Sequence, residues 1–185
     1  MKSLSTILVF LIVATIVLNT TKLSIELQFE NPSSNYLFVM MLCILLPLSI
    51  LLWGILAKTK NRKIAGIILS VLIAFPSGII YFFVSSNYEN VLSTGIDSSF
   101  EKIDEVTVGD SWYKLYRTNG GATTAYGLVL RKENKLFLGI KTVENIYSKY
   151  KAYESTLKVL SQNELLMIIK PYSKRDKFER VRIKI

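Results

Sequence analysis

The sequence predicts a membrane protein with three transmembrane α-helices followed by a small, mainly β, antiparallel extracytoplasmic domain. The first observation is that the chain begins with three uncharged stretches, residues 3–21, 31–57 and 64–88. Each could cross a bilayer as a helix, which takes about 20 apolar residues. The second is that the chain then turns polar, with short alternating apolar runs typical of strands. These observations divide the chain into a membrane domain at 1–88, an acidic neck at 89–110 and a β-rich soluble domain at 111–185.

The three helices are predicted at about 4–21, 36–57 and 64–84. The first also resembles a signal peptide, because Lys2 precedes an apolar run over residues 4–18. Residues 18–21 offer no Ala-x-Ala-like cleavage site, so a retained helix is favoured. With or without cleavage, the second helix runs from outside to inside and the third returns.

The membrane helices are predicted to anchor the protein and not to transport a solute, because the uncharged stretches contain no ionisable Asp, Glu, Lys, Arg or His. Pro47 and Pro76 should bend the second and third helices. Small residues recur at every fourth position of the third helix, and such ladders allow close helix packing. They are Gly66, Ser70, Ala74 and Gly78. This face could be the seam with the other two helices or a homo-oligomer contact through the third helix.

The orientation follows from the positive charges, since short cytoplasmic loops are enriched in Lys and Arg. The connection between the second and third helices contains Lys58, Lys60, Arg62 and Lys63 and no acid. We therefore expect a multi-pass protein of the cell membrane with a cytoplasmic N-terminus and an extracytoplasmic C-terminal domain. The inverted topology remains an alternative.

The region after the membrane domain changes from acidic to basic. Residues 85–110 carry six acids and one Lys, as expected of a solvated neck, whereas residues 111–185 carry sixteen Lys and Arg and six Asp and Glu. Strands are predicted at 112–118, 126–131, 136–141 and 165–170, and at the C-terminus, where apolar residues alternate with basic ones. Residues 144–155 fit a helix or a strand, and the strand is favoured. About six strands indicate an antiparallel sheet, a sandwich or a propeller-like blade.

One segment resembles a known family. Residues 116–126 read Tyr-Arg-Thr-Asn-Gly-Gly-Ala-Thr-Thr-Ala-Tyr, which is similar to the Gly-Ala-Thr-Thr strand-and-turn motif of uncharacterised, membrane-tethered domains of Gram-positive bacteria. Residues 146–147 and 157–165 are similar to the way those domains continue. The resemblance implies a tethered domain of unknown function and carries no catalytic or binding residue.

Two groups of residues are candidates for interaction. Paired glycines before threonines could form an amide nest for an anion, or simply a tight turn; these residues are Gly120, Gly121, Thr123 and Thr124. A basic run near the C-terminus could bind anionic lipid or a wall polymer, or simply face solvent; its residues include Lys174, Arg175, Lys177, Arg180 and Arg182. Expected partners are the lipid bilayer and an envelope protein, anionic lipid or wall polymer, and not nucleic acid.

The composition disfavours catalysis, because the chain has no His and a single cysteine, Cys43, within an apolar stretch. No metal site, cofactor or catalytic residue is predicted, and the chain is not expected to be an enzyme. The leading hypothesis is a membrane-anchored extracytoplasmic interaction or sensing module of the cell envelope. The alternatives are a protective or immunity-type membrane protein acting through its helices and, less favoured, an enzyme of unknown class.

Overall fold

The chain forms two compact units. A computed structural model describes residues 2–20, 25–121, 124–173 and 175–185. The helical unit contains three helices, α1 (Lys2–Thr20), α2 (Pro32–Ile55) and α3 (Lys60–Thr94). The β unit contains the short segment before α2 together with the chain after α3. A polar segment on the N-terminal side of α2 therefore belongs to the same unit as the C-terminal region.

Two of the three helices, α2 and α3, are long and apolar enough to cross a membrane. The prediction of three transmembrane helices is wrong, because the apolar part of α1 covers only Thr6–Leu18. At about 1.5 Å per residue this segment is about 20 Å long, which is less than the roughly 30 Å of a hydrocarbon core. The absence of charged residues over 3–21 led to an overestimate of the length of the apolar segment. In the structure, α1 packs against α2. The predicted cytoplasmic N-terminus depended on a third membrane crossing and is therefore not supported.

The apolar side chains of α2 and α3 face outward to an extent unusual for helices in the core of a water-soluble protein. Phe75 is 76% exposed and Phe82 is 70% exposed. Val71 and Leu72, which lie nearer the start of α3, are also exposed. Soluble proteins rarely leave large contiguous apolar surfaces in water. The length, composition and exposure of the two helices are therefore consistent with membrane association.

The second and third helices meet where each has a glycine. A Cβ atom built on Gly66 would lie 2.3 Å from the Gly54 Cα atom, so neither position has space for a side chain. One turn further along α3, the Ser70 hydroxyl donates a hydrogen bond of 2.9 Å to the Pro47 carbonyl. Such close approach with an interhelical hydrogen bond is typical of helix packing in membranes.

The β unit consists of two antiparallel sheets with eight strands in total among the described residues. The five-stranded sheet has the order β1-β5-β4-β3-β2, and the three-stranded sheet has the order β6-β7-β8. The strands are β1 (Glu26–Phe29), β2 (Phe100–Val108), β3 (Ser111–Thr118), β4 (Gly127–Lys135), β5 (Ile140–Tyr150), β6 (Ser155–Ser161), β7 (Glu164–Ile169) and β8 (Glu179–Lys184). The antiparallel β structure agrees with the sequence pattern, and residues 144–150 are strand as favoured.

The two sheets bury one hydrophobic core between them. The larger sheet contributes Leu115, Leu128 and Leu130, and the smaller one contributes Leu165 and Met167, all essentially inaccessible to solvent. The alternation predicted for the last strand is present: apolar side chains of β8 face this core and its basic ones are exposed. An unbroken apolar run such as that of β7 predicts a strand buried on both faces. Strand β7 is instead covered on its core face only, since its intervening residues are half-buried.

Three strands, β1, β2 and β6, lie where the sequence predicted none, since only the first residue of β6 falls in a predicted segment. Strand β1, between α1 and α2, pairs with β5 along the edge of the larger sheet. Strand β2 falls within the predicted acidic neck, and α3 extends into the neck as far as Thr94. The acids of β2 made it resemble a solvated linker, but they have specific partners. Glu101 pairs with Arg117 at 2.5 Å, and the Asp104 carboxylate accepts a hydrogen bond of 2.7 Å from the Leu157 amide of β6.

Candidate functional site

A surface groove of about 780 Å³ lies where the end of β5 faces the connection between β7 and β8. We call it the cationic groove, because four of its lining residues are lysines and only two are acids. It is lined by Lys149, Tyr150, Lys151, Ile169, Lys170, Pro171, Tyr172, Ser173, Asp176, Lys177, Phe178 and Glu179.

Two of the four lysines are neutralised by nearby carboxylates. Lys149 forms an ion pair with Glu179, and Lys170 pairs with Glu154 at 2.5 Å. Within the described part of the chain, Lys151 and Lys177 form no ion pair, and both are exposed. Among the described residues, the groove therefore holds two exposed lysines that have no ion-pair partner, and Asp176 is the one lining acid that pairs with no lysine.

Exposed aromatic rings stand beside these charges. Tyr150 is 63% exposed, Phe178 is 66% exposed and Tyr172 is also open to solvent. Aromatic faces pack against apolar or sugar-like surfaces, and ammonium groups attract phosphate or carboxylate. The groove has the composition expected of a binding site for an anionic chain with apolar or polyol segments.

The structure divides the predicted basic run between two surfaces. Lys177 lines the cationic groove, and Arg175 lies exposed in the same β7–β8 connection. Arg180 and Arg182 instead lie on the solvent face of the smaller sheet, opposite Ile168 and Leu166 of β7. Lys174 lies outside the described residues. The sequence did not connect Lys149 and Lys151 with this run, because their proximity depends on how the sheets pack.

The described residues of the paired-glycine segment, 119–121 and 124, make turn hydrogen bonds between β3 and β4. The Gly121 amide donates to the Asn119 side chain at 3.0 Å, and the Thr124 amide and hydroxyl both donate to the Gly121 carbonyl at 3.1 Å. Gly121 has a φ of 100°, which glycine adopts readily. These donors are used within the turn and are not directed at a common external point. Gly120 is exposed beside Thr124, and Thr123 lies outside the described residues.

The small-residue ladder of α3 is split by the structure. Gly66 and Ser70 are buried at the contact with α2, whereas Ala74 and Gly78 are exposed. The buried face continues instead through Ser77. The first half of the ladder therefore forms the intramolecular seam, and nothing within 4 Å would meet a Cβ atom added at Gly78.

A buried carboxylate on the outward face of the larger sheet was missed by the sequence reasoning. Glu133 of β4 is 1% exposed. Its Oε2 atom accepts hydrogen bonds of 2.9 Å from Lys114 Nζ and from Lys141 Nζ, and its Oε1 atom accepts one of 2.6 Å from the Tyr116 hydroxyl. The sequence predicts strands at 126–131 and 136–141, which leaves residues 132–134 in the turn between them. The alternation of Arg131, Glu133 and Lys135 was the available sign that the strand continues.

These contacts shift the acidities of the cluster. Burial alone raises the pKa of Glu133, but hydrogen bonds from Lys114, Tyr116 and Lys141 outweigh burial and hold it below its ordinary value. Burial, together with the hydrogen bond to Glu133, raises the pKa of Tyr116. At neutral pH the cluster therefore contains an ionised carboxylate between two ammonium groups, with a protonated phenol.

A small cavity of about 150 Å³ adjoins the cluster, lined by Glu30, Trp112, Lys114, Glu133, Lys135 and Lys141. Lys135 Nζ lies 5.1 Å from the centre of the Trp112 ring and 3.6 Å from Glu30. Each charged group in the cavity is thus partnered by another. Across the described residues, no group of three or more His, Cys, Asp or Glu side chains is arranged to hold a metal ion.

Comparisons of the chain with protein-family models, with curated proteins and with solved structures found no match. The resemblance to Gram-positive membrane-tethered domains therefore stays a prediction. The geometry of the two units is the remaining basis for a functional proposal.

Proposed function

We propose that the chain is a membrane-anchored interaction module of the cell envelope, in which α2 and α3 cross the membrane as a hairpin and the β unit works outside. In this proposal the β unit binds an anionic polymer of the envelope along the cationic groove. The observation that carries the proposal is the groove itself, with Lys151 and Lys177 outside any ion pair of the described residues and beside exposed aromatic rings.

The position of β1 supports the hairpin. The chain leaves the β unit after β1, passes through α2 and α3, and returns to the β unit at β2. If each of the two helices crosses once, the chain ends on the side where it began. The connection at residues 56–59 and the basic start of α3 then lie on the opposite side. Their Lys and Arg residues favour the cytoplasm, which supports a β unit outside.

The charge pattern of the β unit supports an anionic partner. Residues 111–185 carry ten more basic than acidic side chains, sixteen against six. Three of the six acids of this region, Glu133, Glu154 and Glu179, are already paired in ion bridges, so these three do not screen the remaining exposed lysines and arginines. Outside the membrane, phosphate-rich polymers and anionic headgroups are the abundant carriers of negative charge. Because the site is a groove, it suits an extended polymer chain better than the flat surface formed by lipid headgroups.

The topology is tested by accessibility of single cysteines in intact cells. Cys43 is the only native cysteine, so a Cys43→Ser background accepts one new thiol, either Asp97→Cys in the β unit or Asn61→Cys at the start of α3. A membrane-impermeant maleimide should label position 97 in intact cells and position 61 only after lysis. Labelling of position 61 alone in intact cells would refute the proposed orientation.

Binding is tested with the full chain in nanodiscs of neutral phosphatidylcholine, using fluorescent poly(glycerol phosphate) as the probe. The double variant Lys151→Gln/Lys177→Gln should weaken binding by about 2 kcal/mol, or roughly thirtyfold in Kd, at about 1 kcal/mol per cation. The matched control Lys58→Gln/Lys60→Gln removes the same charge from the helical unit and should bind normally. Equal weakening by both variants, or no binding of the polymer, would contradict the proposed groove function.

A further inference from the structure

The turn between β4 and β5 carries three large apolar side chains that have no place in the core. Leu136 is 49% exposed, Phe137 is 68% exposed and Leu138 is 88% exposed. We call residues 136–138 the apolar tip. Leu138 also has a φ of 55°, a conformation that Asn or Gly adopts more easily than Leu. Both solubility and backbone preference favour polar residues here, so the apolar side chains require another explanation.

The residue that follows the apolar tip is hydrogen-bonded to the residue that follows β1 in the β unit. The Glu30 amide donates a hydrogen bond of 2.8 Å to the Gly139 carbonyl, immediately after the tip. Asn31 then caps α2, which begins at Pro32. A single residue therefore separates this hydrogen bond from a helix long enough to cross a membrane. If α2 crosses a bilayer, this hydrogen bond and the short stretch of chain from Glu30 to Pro32 limit how far the apolar tip can lie from the point where α2 enters.

The residues at the base of the tip have the composition of a membrane–water boundary. Lys135 and Lys141 flank the tip, and the Trp112 ring lies beneath the Lys135 ammonium. Tryptophan is enriched at the level of lipid headgroups, and lysine there contacts phosphate oxygens while neighbouring Leu and Phe enter the acyl boundary. Three independent features, exposure, position and surrounding residues, thus point to the same occupant.

We propose that the apolar tip inserts into the headgroup and acyl boundary of the bilayer that α2 crosses, with Lys135 at the level of the lipid phosphates. The β unit is then held at the membrane surface by this contact as well as by its covalent connections. This inference rests on the proposed anchoring by α2 and α3, and the experiment below separates the two.

The test uses the full chain with Cys43→Ser and one new cysteine carrying an environment-sensitive nitrobenzoxadiazole dye. Labels are placed at Phe137→Cys and, separately, at Leu138→Cys, both exposed sites where a substitution leaves the core intact. Val71→Cys in α3 reports on anchoring, and Lys177→Cys in the cationic groove reports on water exposure. Each protein is reconstituted in vesicles of phosphatidylcholine and phosphatidylglycerol containing lipids with a doxyl quencher at a shallow or a deep acyl position.

We expect labels at 137 and 138 to emit at shorter wavelength than the label at 177 and to be quenched more by shallow than by deep doxyl lipids. The label at 71 should be quenched by deep doxyl lipids. Water-like, unquenched emission at 137 and 138 with quenching at 71 would overturn the inference and leave the anchor intact. Short-wavelength emission at 137 and 138 without lipid quenching would assign the tip to a protein contact, such as one with a second copy of the chain. That result would also overturn the inference. Absence of quenching at 71 would refute the anchoring and the inference together.

Discussion

Replacement of Glu133 by glutamine should destabilise the β unit by about 3 kcal/mol. Glutamine has nearly the same shape and can still accept from the lysines and donate toward Tyr116, so the main loss is the negative charge between Lys114 and Lys141. Removing one partner of a buried ion pair typically costs about 3–5 kcal/mol. The lower end applies because the two lysine side chains are 21% and 12% exposed and can gain some water.

The effect is measured by thermal unfolding of the full chain in detergent micelles. The chain has two tryptophans, so a Trp53→Phe background leaves Trp112, beside the cluster, as the fluorescent reporter. For a domain of under about 100 residues, 1 kcal/mol corresponds to about 4–8 °C in Tm, so Glu133→Gln should lower Tm by roughly 12–24 °C.

The matched control is Glu105→Gln on β2. Glu105 pairs with Lys102 at 2.7 Å, but both side chains are about half exposed, and exposed pairs contribute about 1 kcal/mol or less. A second variant, Glu133→Leu with Lys114→Met, Lys141→Met and Tyr116→Phe, removes the charges together with the hydroxyl that would lose its acceptor. It should recover much of the loss, because buried ion pairs are often no better than apolar packing. If Glu133→Gln shifts Tm no more than Glu105→Gln, the carboxylate is not the buried partner of two ammonium groups and the reasoning is refuted.

Three further outcomes are expected. Because the folded-state pKa of Glu133 is lowered from 4.5, the stability that its charge contributes is present above that pH and is lost as the pH falls through the folded-state value. The Tm difference between the native chain and Glu133→Gln should therefore stay constant from neutral pH down to 4.5 and shrink below it. Gly66→Ala, where the added Cβ would overlap α2, should destabilise the helical unit by about 1–3 kcal/mol in detergent unfolding, whereas Gly78→Ala, in open space, should not. Asp104→Ala leaves a β6 amide without its acceptor and should cost about 1–3 kcal/mol in urea unfolding; an unchanged midpoint would show that this bond does not hold the sheets together.

The sequence predicts the elements that depend on local composition. Two long apolar helices and the alternation of Val181 and Ile183 with Arg180 and Arg182 follow from hydropathy and period alone. The apolar length of α1 was overestimated, since lack of charge is a weaker criterion than sustained hydropathy. Strand β1 has only four residues, and the alternation of Leu27 and Phe29 with Glu26 and Gln28 was the available sign of it. Its structure depends on pairing with a strand more than a hundred residues later.

The candidate sites depend even more on tertiary structure. The basic run could be read from the sequence, but its division between the cationic groove and the β8 face follows from strand pairing and sheet packing. Glu133 lies between two polar residues, Lys132 and Asn134, so local composition indicated a turn. Its burial arises from side chains contributed by β3 and β5, which no local pattern connects.

The pairing of β1 with β5 has a consequence for how the protein is made and handled. During synthesis, β1 emerges before both long helices and has no partner until β5 has been translated, so completion of the larger sheet must follow membrane insertion if the hairpin topology holds. A truncated protein starting after α3 would leave the edge of β5 unpaired, and unpaired edges promote aggregation. A soluble version of the β unit should therefore carry residues 24–30 joined to residues 94–185 by a flexible linker.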